Sequence, residues 1–479
     1  MKSMRSLRQL FFLGLFCSIF LAGCGGYSKP STMPGPQSAS MSLSATDTPP
    51  AGVTVFSFEV TLSGATLNGT GIYATNIDLL AAKGPQRIEV KHLETENAFL
   101  NLTNVTPGAY TTLNLTFSNP ELTFRNDTGA TLAGCAPAAV CEIKPTGTLT
   151  ASVNGQFNPS MGTQTGVLLD FNLNTLLTQS LGVDFSTAGA VSATQQTTNT
   201  AGAMEVLDDL EGVVASPGAS QFTLQTSDMG NVTVTIDANT QFEGFDLCTT
   251  ANAACLLNGQ SVDVDLALLA SASFVAKKIE LHDDVAEAGD DELEGVISKI
   301  DGPAQFEMVV IDELRNVTNV SVGDPITVML PTSGSLTSFR VDTDGLSVPP
   351  TLRQTFENST DTSQLVPGQT VQVRKVSLTG GPAPAAITVT TDRVRLRDTR
   401  LTATVSGAPT GGNFNIGSLP GLFTANGITT IQVQTSSNTN FENVAGASGL
   451  ADGNTVSVRG LLFTSTPSPV LVADKVRKR

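Results

Sequence analysis

Apolar and polar residues alternate with a period of two over short stretches along most of the chain. Val53 to Leu62 reads VTVFSFEVTL, and Arg87 to Val90 and Leu113 to Phe117 repeat the pattern. A period of two marks a strand, because successive side chains point to opposite faces of a sheet. Thr and Val are frequent at these positions, with Gly, Asn and Pro between them as turns, so the pattern predicts an all-β protein. Two stretches depart from it. Leu10 to Leu21 is rich in Leu and Phe, and 191–204 (VSATQQTTNTAGAM) is small and polar and reads as a linker.

The first of these is an address and not a fold element. Lys2, Arg5 and Arg8 precede the apolar run, and Leu21-Ala22-Gly23-Cys24 closes it. Basic, apolar and small-residue parts in this order make a secretory signal. The closing residues resemble the lipobox of bacterial lipoproteins. That resemblance implies a diacylglycerol on the sulfur of Cys24 and removal of residues 1–23. No other apolar run approaches the length of a spanning helix, so membrane attachment is expected through lipid, whose buried CH₂ groups each contribute about 0.8 kcal/mol. Residues 24–39 are rich in Gly, Ser and Pro and read as a tether. Gly25, where Asp would signal retention, favours the outer membrane if the cell is Gram-negative, again by resemblance to such lipoproteins.

Residues 40–190 read as one β domain. Leu43 to Pro49, the strand Val53 to Val60, the turn Pro107-Gly-Ala-Tyr110 and the strand Val167 to Asn172 carry a resemblance. They are similar to an uncharacterised sandwich domain of bacterial and archaeal lipoproteins. The resemblance covers about a third of the chain; it implies a prealbumin-like or immunoglobulin-like β-sandwich and no activity.

The chain then repeats. Leu210-Glu-Gly-Val-Val214, Leu293-Glu-Gly-Val-Ile297 and Leu401-Thr-Ala-Thr-Val405 open three units, and Phe222, Phe306 and Phe414 follow. A Phe-Glu signature comes next, at Phe242-Glu243, Phe356-Glu357 and Phe441-Glu442. Turns at Gly259, Gly368 and Gly453 lead into Val-x-Val strands, and Ala276 to Ile279, Thr391 to Val394 and Ala473 to Val476 close the units. The expected units are 205–282, 292–398 and 399–479, with an acidic linker at 283–291 and an insertion at about Val317 to Leu352 in the second. From the signature Phe to the turn Gly is twelve residues at 356→368 and 441→453 but seventeen at 242→259, so Cys248 and Cys255 fall in a surplus of five. The pattern resembles a second uncharacterised bacterial family, a small barrel of five or six strands that often occurs in tandem; the third unit departs from it at Ala403. Each unit is therefore expected to be a small β-barrel with a turn Gly at positive φ. A Phe is expected to plug it, and Phe→Ala there should cost about 3–5 kcal/mol.

Charge and cysteines narrow the chemistry. The net charge is −17, and loss of Lys2, Arg5 and Arg8 with the signal takes it to −20. This argues against a nucleic-acid partner, which would call for a basic patch. Cys17 lies in the signal. Of the remaining cysteines, local pairing of Cys135 with Cys141 and Cys248 with Cys255 is the favoured one of three connectivities in an oxidising compartment. Each short loop is worth about 2–2.5 kcal/mol by the loop-entropy model. Neither pair has metal-ligand spacing, so no metal and no cofactor is expected.

Candidate chemistry is sparse. His92 and His282 are the histidines, both expected at the surface, and the motifs of serine hydrolases, zincins, P-loops and dinucleotide folds are missing. The acidic run Glu280 to Glu294 offers oxygen ligands for calcium but matches no EF-hand loop, and a solvated linker is the plainer reading. Glu243, Glu357 and Glu442, one per unit, read as structural and not as a catalytic pair. Arg393, Arg395 and Arg397 share one strand face with Arg400 nearby. That face reads as solvated, or else as a site for an anionic partner, with Lys475, Arg477, Lys478 and Arg479 at the corresponding place in the last unit. The leading expectation is an exported, lipid-anchored, non-catalytic binding or scaffolding protein with a glycan or an envelope protein as partner. A carbohydrate-active enzyme using carboxylates, and an adhesin or assembly subunit, are the alternatives.

Overall fold

The computed structural model describes residues 39–479, apart from 49–51, 70–75, 82, 96, 162–163, 198–202, 227–229, 246–247, 249, 270–272, 282–291, 314–316, 334–335, 342, 344–345 and 383–384. The signal, Cys24 and the tether to residue 38 therefore lie outside the described residues, as do His282 and the centre of the acidic run. Gln37–Arg479 form one compact unit. Among the described residues no helix is long and apolar enough to cross a membrane.

The chain is all-β, as the alternation predicts. Two sheets make the N-terminal region. In one, Ala39–Thr48 runs parallel to Gln164–Asn172 and antiparallel to Ala98–Val105, and Val191–Thr197 forms an edge. The other is built on the antiparallel pair Val53–Gly69 and Tyr110–Asn126. Phe58, Val60, Leu62, Leu115 and Phe117 of this pair share one core with Val167, Leu169 and Phe171 of the first sheet. Phe117 stacks on Phe185 at 4.1 Å. The Pro107–Tyr110 turn is fixed by Tyr110, whose hydroxyl donates to the Thr106 carbonyl at 2.7 Å. Val53–Gly69 buries part of both its faces, Ser57 and Glu59 included, and on the outer one Phe56 packs with Val309 and Leu422 from later in the chain.

Three five-stranded barrels follow. Barrel 1 comprises Ala203–Ala215, Gln221–Thr226, Gly230–Thr235, Ser261–Leu269 and Phe274–Leu281. Its first strand pairs with the second and fourth, the second with the third, and the fifth with the fourth and, in parallel, the third, so the ring closes. Barrel 2 repeats the connectivity with Glu292–Gly302, Gln305–Glu313, Pro325–Met329, Thr370–Gly380 and the start of Ile387–Thr410. Barrel 3 does so with the end of Ile387–Thr410, then Asn413–Gly417, Ile431–Gln434, Thr455–Phe463 and Val470–Lys478. A five-stranded barrel of this kind is the architecture of OB-folds. Phe222, Phe306 and Phe414 sit inside the three barrels, 3% exposed or less. The turn glycines Gly259, Gly368 and Gly453 have φ of 90°, 95° and 82°. Their amides donate to Val214, Ile297 and Val405 at 2.8, 2.8 and 2.9 Å.

Barrels 2 and 3 share one 24-residue strand, Ile387–Thr410, and the expected boundary at 398/399 falls inside it. Leu461, Phe463, Val470 and Val472 of the last hairpin pack into the core of barrel 2. A second difference concerns the signature of the middle unit. Phe356-Glu357 belongs to the helix Pro350–Glu357, with Phe356 wedged edge-on between Phe339 and Phe463. The strand that corresponds to Gln241–Glu243 and Asn440–Glu442 is Ser338–Val341, and Phe339 faces Val394 as Phe242 faces Ile279 and Phe441 faces Val476. The insertion lies after this strand, because the span Val317 to Leu352 contains the barrel strand Pro325–Met329.

Both local disulfides are present, Cys135–Cys141 and Cys248–Cys255, with Cα–Cα distances of 5.9 and 6.2 Å. Cys255 and Leu256 tuck into the core of barrel 1, so the second bridge ties its loop to the barrel wall.

Candidate functional site

Each barrel carries the same short device on its fifth strand. A threonine two residues before the signature Phe donates its hydroxyl to a carbonyl of that strand. The bonds are Thr240 to Ala276 at 2.8 Å, Thr337 to Thr391 at 3.1 Å and Thr439 to Ala473 at 2.8 Å. Beside that carbonyl the fourth and fifth strands slip in register, at Asp265/Leu266, Val373/Lys375 and Arg459/Gly460. A bulge at a fixed place re-aims the side chains next to it. In barrel 2 it brings Arg374 onto Asp392, at 2.8 and 2.7 Å. In barrel 3 it brings Arg459 onto Asp474, with Nε to Oδ2 at 3.0 Å. Barrel 1 has Asp265 and Lys277 at the matching positions, so its polarity is reversed.

Cations follow along the same strand. Lys278 meets Glu280 at 2.9 Å and Glu243 at 4.0 Å. Lys475 meets Glu442 at 2.8 Å, and Arg477 pairs with the same carboxylate. In barrel 2 the expected stripe Arg393, Arg395 and Arg397 is not a solvated face. Arg393 is 3% and Arg395 5% exposed. Arg393 pairs with Glu292, Arg395 donates to Gln372 at 3.2 Å, and Arg397 meets Glu294 at 3.3 Å. The physical reason lies in the first strand, whose Glu292 and Glu294 reach the same face and supply the counter-charges. Lys475 and Arg477 are buried too, so the basic end of the last unit is likewise turned inward. Glu280, Glu292 and Glu294, at the ends of the acidic run Glu280 to Glu294 whose plainer reading was a solvated linker, are buried strand residues. Arg400 stands apart from the stripe, on the wall of a second cleft.

The devices of barrels 1 and 3 face one another across a cleft of about 840 Å³. Asn239, Gln241, Asp265 and Lys278 line one side and Asn438, Asn440, Arg459 and Asp474 the other. Lys278, at the place of Arg393 and Lys475 in the other units, stands in the field of Asp474 across the cleft. Burial alone would lower the Lys278 ammonium, but Asp474, Glu280 and Asp265 hold it well above its ordinary value. Burial would raise Asp474, yet Arg459 and Lys278 bring it down to about 2. Glu280 is pushed up to about 7 by burial, which its bond to Lys278 only partly offsets. For Glu442, burial is outweighed by Lys475 and Arg477, and the carboxyl lies below its usual range.

The cleft is a lattice of amides and paired charges. It offers hydrogen-bond donors and acceptors at close spacing and suits a polar ligand or a protein surface. Each signature carboxylate has a cation near it: Glu442 has Lys475 and Arg477, Glu357 has Arg353 at 2.8 Å on the exposed helix, and Glu243 shares Lys278 with Glu280. Among the described residues no group of three or more His, Cys, Asp and Glu could hold a metal ion. His92 is half-buried in the 3-10 turn Val90–Glu94, beside the sandwich, and not on a surface strand end. Sequence reading missed Arg459, Asp474 and Lys278. The signal for Asp474 and Lys278 was the closing segment of the repeat, where Lys277 aligns with Asp392 and Asp474 and so reverses sign; for Arg459 it was the strand after the turn Gly, where Asp265 aligns with Arg374 and Arg459.

Among solved structures, one that matches is drosophila Unr CSD456, 12% identical over 57% of this chain and 97% of that chain, with a TM-score of 0.12, too low to carry an argument. None of the curated proteins compared matches the chain. Residues 211–280 and 416–477 match a family described as Domain of unknown function (DUF5666). That domain is thus found twice, in barrel 1 and in barrel 3 from the end of its second strand onward, while the middle barrel shares their connectivity outside the matched residues.

Proposed function

We propose that the protein is exported and anchored by lipid at Cys24 to the cell envelope, in the outer membrane if the cell is Gram-negative. There it serves a non-catalytic binding or scaffolding role. The address rests on the lipobox Leu21-Ala-Gly-Cys24. The role rests on one observation: each repeated carboxylate that a glycosidase reading would use lies within ion-pair distance of a neighbouring cation. A general acid needs a carboxyl kept protonated near neutral pH; Glu442 is held the other way, and at Glu243, raised by burial, Lys278 pulls against the rise. The cleft between barrels 1 and 3, polar and close to charge-balanced, supports a hydrophilic partner such as a glycan or an envelope protein.

Two measurements test this. Cells fed a labelled fatty acid should label the native chain and not Cys24→Ala; equal labelling would remove the anchor. A glycan and ester panel should show binding without hydrolysis. Hydrolysis that Glu442→Gln abolishes would make the protein an enzyme.

A further inference from the structure

A second cleft, of about 530 Å³, lies where the sandwich meets barrels 2 and 3. It is of the size and the setting, between packed domains, in which small ligands are bound. Phe56, Val296, Ile311, Leu422 and Phe423 give it apolar walls. The strand shared by the two barrels turns Leu401 and Ala403 into the core of barrel 3. By alternation it presents Arg400, Thr402 and Thr404 to the cleft.

The 3-10 turn Val90–Glu94 closes the polar side. Glu94 is 1% exposed and lines the cleft. Its Oε2 is ion-paired with Lys91, while Oε1 has no hydrogen-bond partner among the described residues. The C-terminal arginines hold the turn without satisfying that oxygen: Arg477 donates to the Leu93 carbonyl at 3.4 Å and Arg479 to the Glu94 carbonyl. A buried carboxylate oxygen without a hydrogen-bond partner, on a residue that lines a cleft, calls for a donor.

We propose that this cleft binds a small amphipathic molecule, with its apolar body against Phe56, Leu422 and Phe423 and a hydroxyl or amine head donating to Glu94 Oε1. Lys91 already balances the charge of Glu94, so a neutral donor satisfies the oxygen as well as a cationic one does. The site is separate from the polar cleft between barrels 1 and 3 and stands whether or not that cleft has a partner.

The test uses the mature chain from residue 24 with Cys24→Ala, which needs no detergent, and N-phenyl-1-naphthylamine, an apolar fluorophore with one N–H. Saturable enhancement at one dye per chain is expected. Thr402→Trp fills the cleft from a strand face and should abolish it. Glu94→Gln, which removes the charged acceptor, should weaken it by about tenfold. Displacement by 1-octanol, octylamine or both supports the site and tells which donor it takes. Lack of saturable binding, or binding that survives Thr402→Trp, overturns the proposal. Unchanged affinity in Glu94→Gln, or equal displacement by octanoate, overturns the role given to Glu94.

Discussion

Glu280 shows how one residue ties the seam between barrels 1 and 3 to pH. It is 6% exposed as a side chain, with Oε2 on Lys278 and Oε1 lacking a hydrogen-bond partner among the described residues. Lys278, Asp263 and Glu243 act on it from barrel 1, and Asp398 interacts with it from the shared strand. Its folded value, about 7, lies above the ordinary carboxylate value of 4.5. The folded chain therefore holds this proton more tightly than the unfolded chain. The corresponding stability is fully present below the unfolded value and is lost as pH rises through 7. The effect is on the order of 3 kcal/mol between pH 4.5 and 8. Asp474, held down at about 2, acts in the opposite sense and only in acid, below the ordinary carboxylate range. Glu280→Gln mimics the protonated form, so its advantage over the native chain should grow from pH 5 to pH 8. Melting temperatures at the two pH values measure this, and a constant difference would refute the account.

At the scale of elements, the opening motif explains itself through its glycines. A Cβ on Gly295 would stand 2.5 Å from the Val309 carbonyl oxygen, and one on Gly212 2.7 Å from that of Gln225. The first two strands approach too closely there for any side chain. Barrel 3 tolerates Ala403 because its second strand ends at Gly417, and Ser418, at φ 52°, turns the chain away. Gly295→Ala should thus cost about 1–3 kcal/mol, visible as a lower urea midpoint with unchanged slope. Ala403→Gly should change little by comparison. Much of the barrel was legible in the sequence for the same reason: period-two strands, the turn glycines and the Leu-x-Gly-x-Val opening each answer to a local geometric demand. The middle signature was not, because Thr337-Ser338-Phe339-Arg340 keeps the Thr and Phe that make contacts and loses the Glu, while a helical Phe356-Glu357 imitates the motif. The arginine stripe also misled, since alternation identifies a shared face but not what covers it. Only the fold brings Glu292 and Glu294, a hundred residues away in sequence, onto that face.

For the whole molecule, the shared strand and the last hairpin decide which parts stand or fall together. Ile387–Thr410 closes barrel 2 and opens barrel 3, and Phe463 of barrel 3 meets Phe356 inside the core of barrel 2 at 6.4 Å. Fraying the fifth strand of one barrel exposes the first strand of the other. The cores are continuous as well, so barrels 2 and 3 should form one cooperative unit. Among the described residues barrel 1 shares no strand with them, and its core is distinct, with Leu102 of the sandwich packed against it from another layer. Phe356→Ala and Phe222→Ala each remove a fully buried ring, and each should cost about 3–5 kcal/mol. The consequences should differ in extent. Hydrogen exchange in Phe356→Ala should rise through Glu292–Gly302 and Thr370–Gly380 and also through Thr455–Phe463 and Val470–Lys478. In Phe222→Ala the rise should stay within Ala203–Leu281. If exchange in the Phe356→Ala chain rises in barrel 2 while Val470–Lys478 keeps its protection, the shared strand is a mere connector and the two barrels fold as separate units.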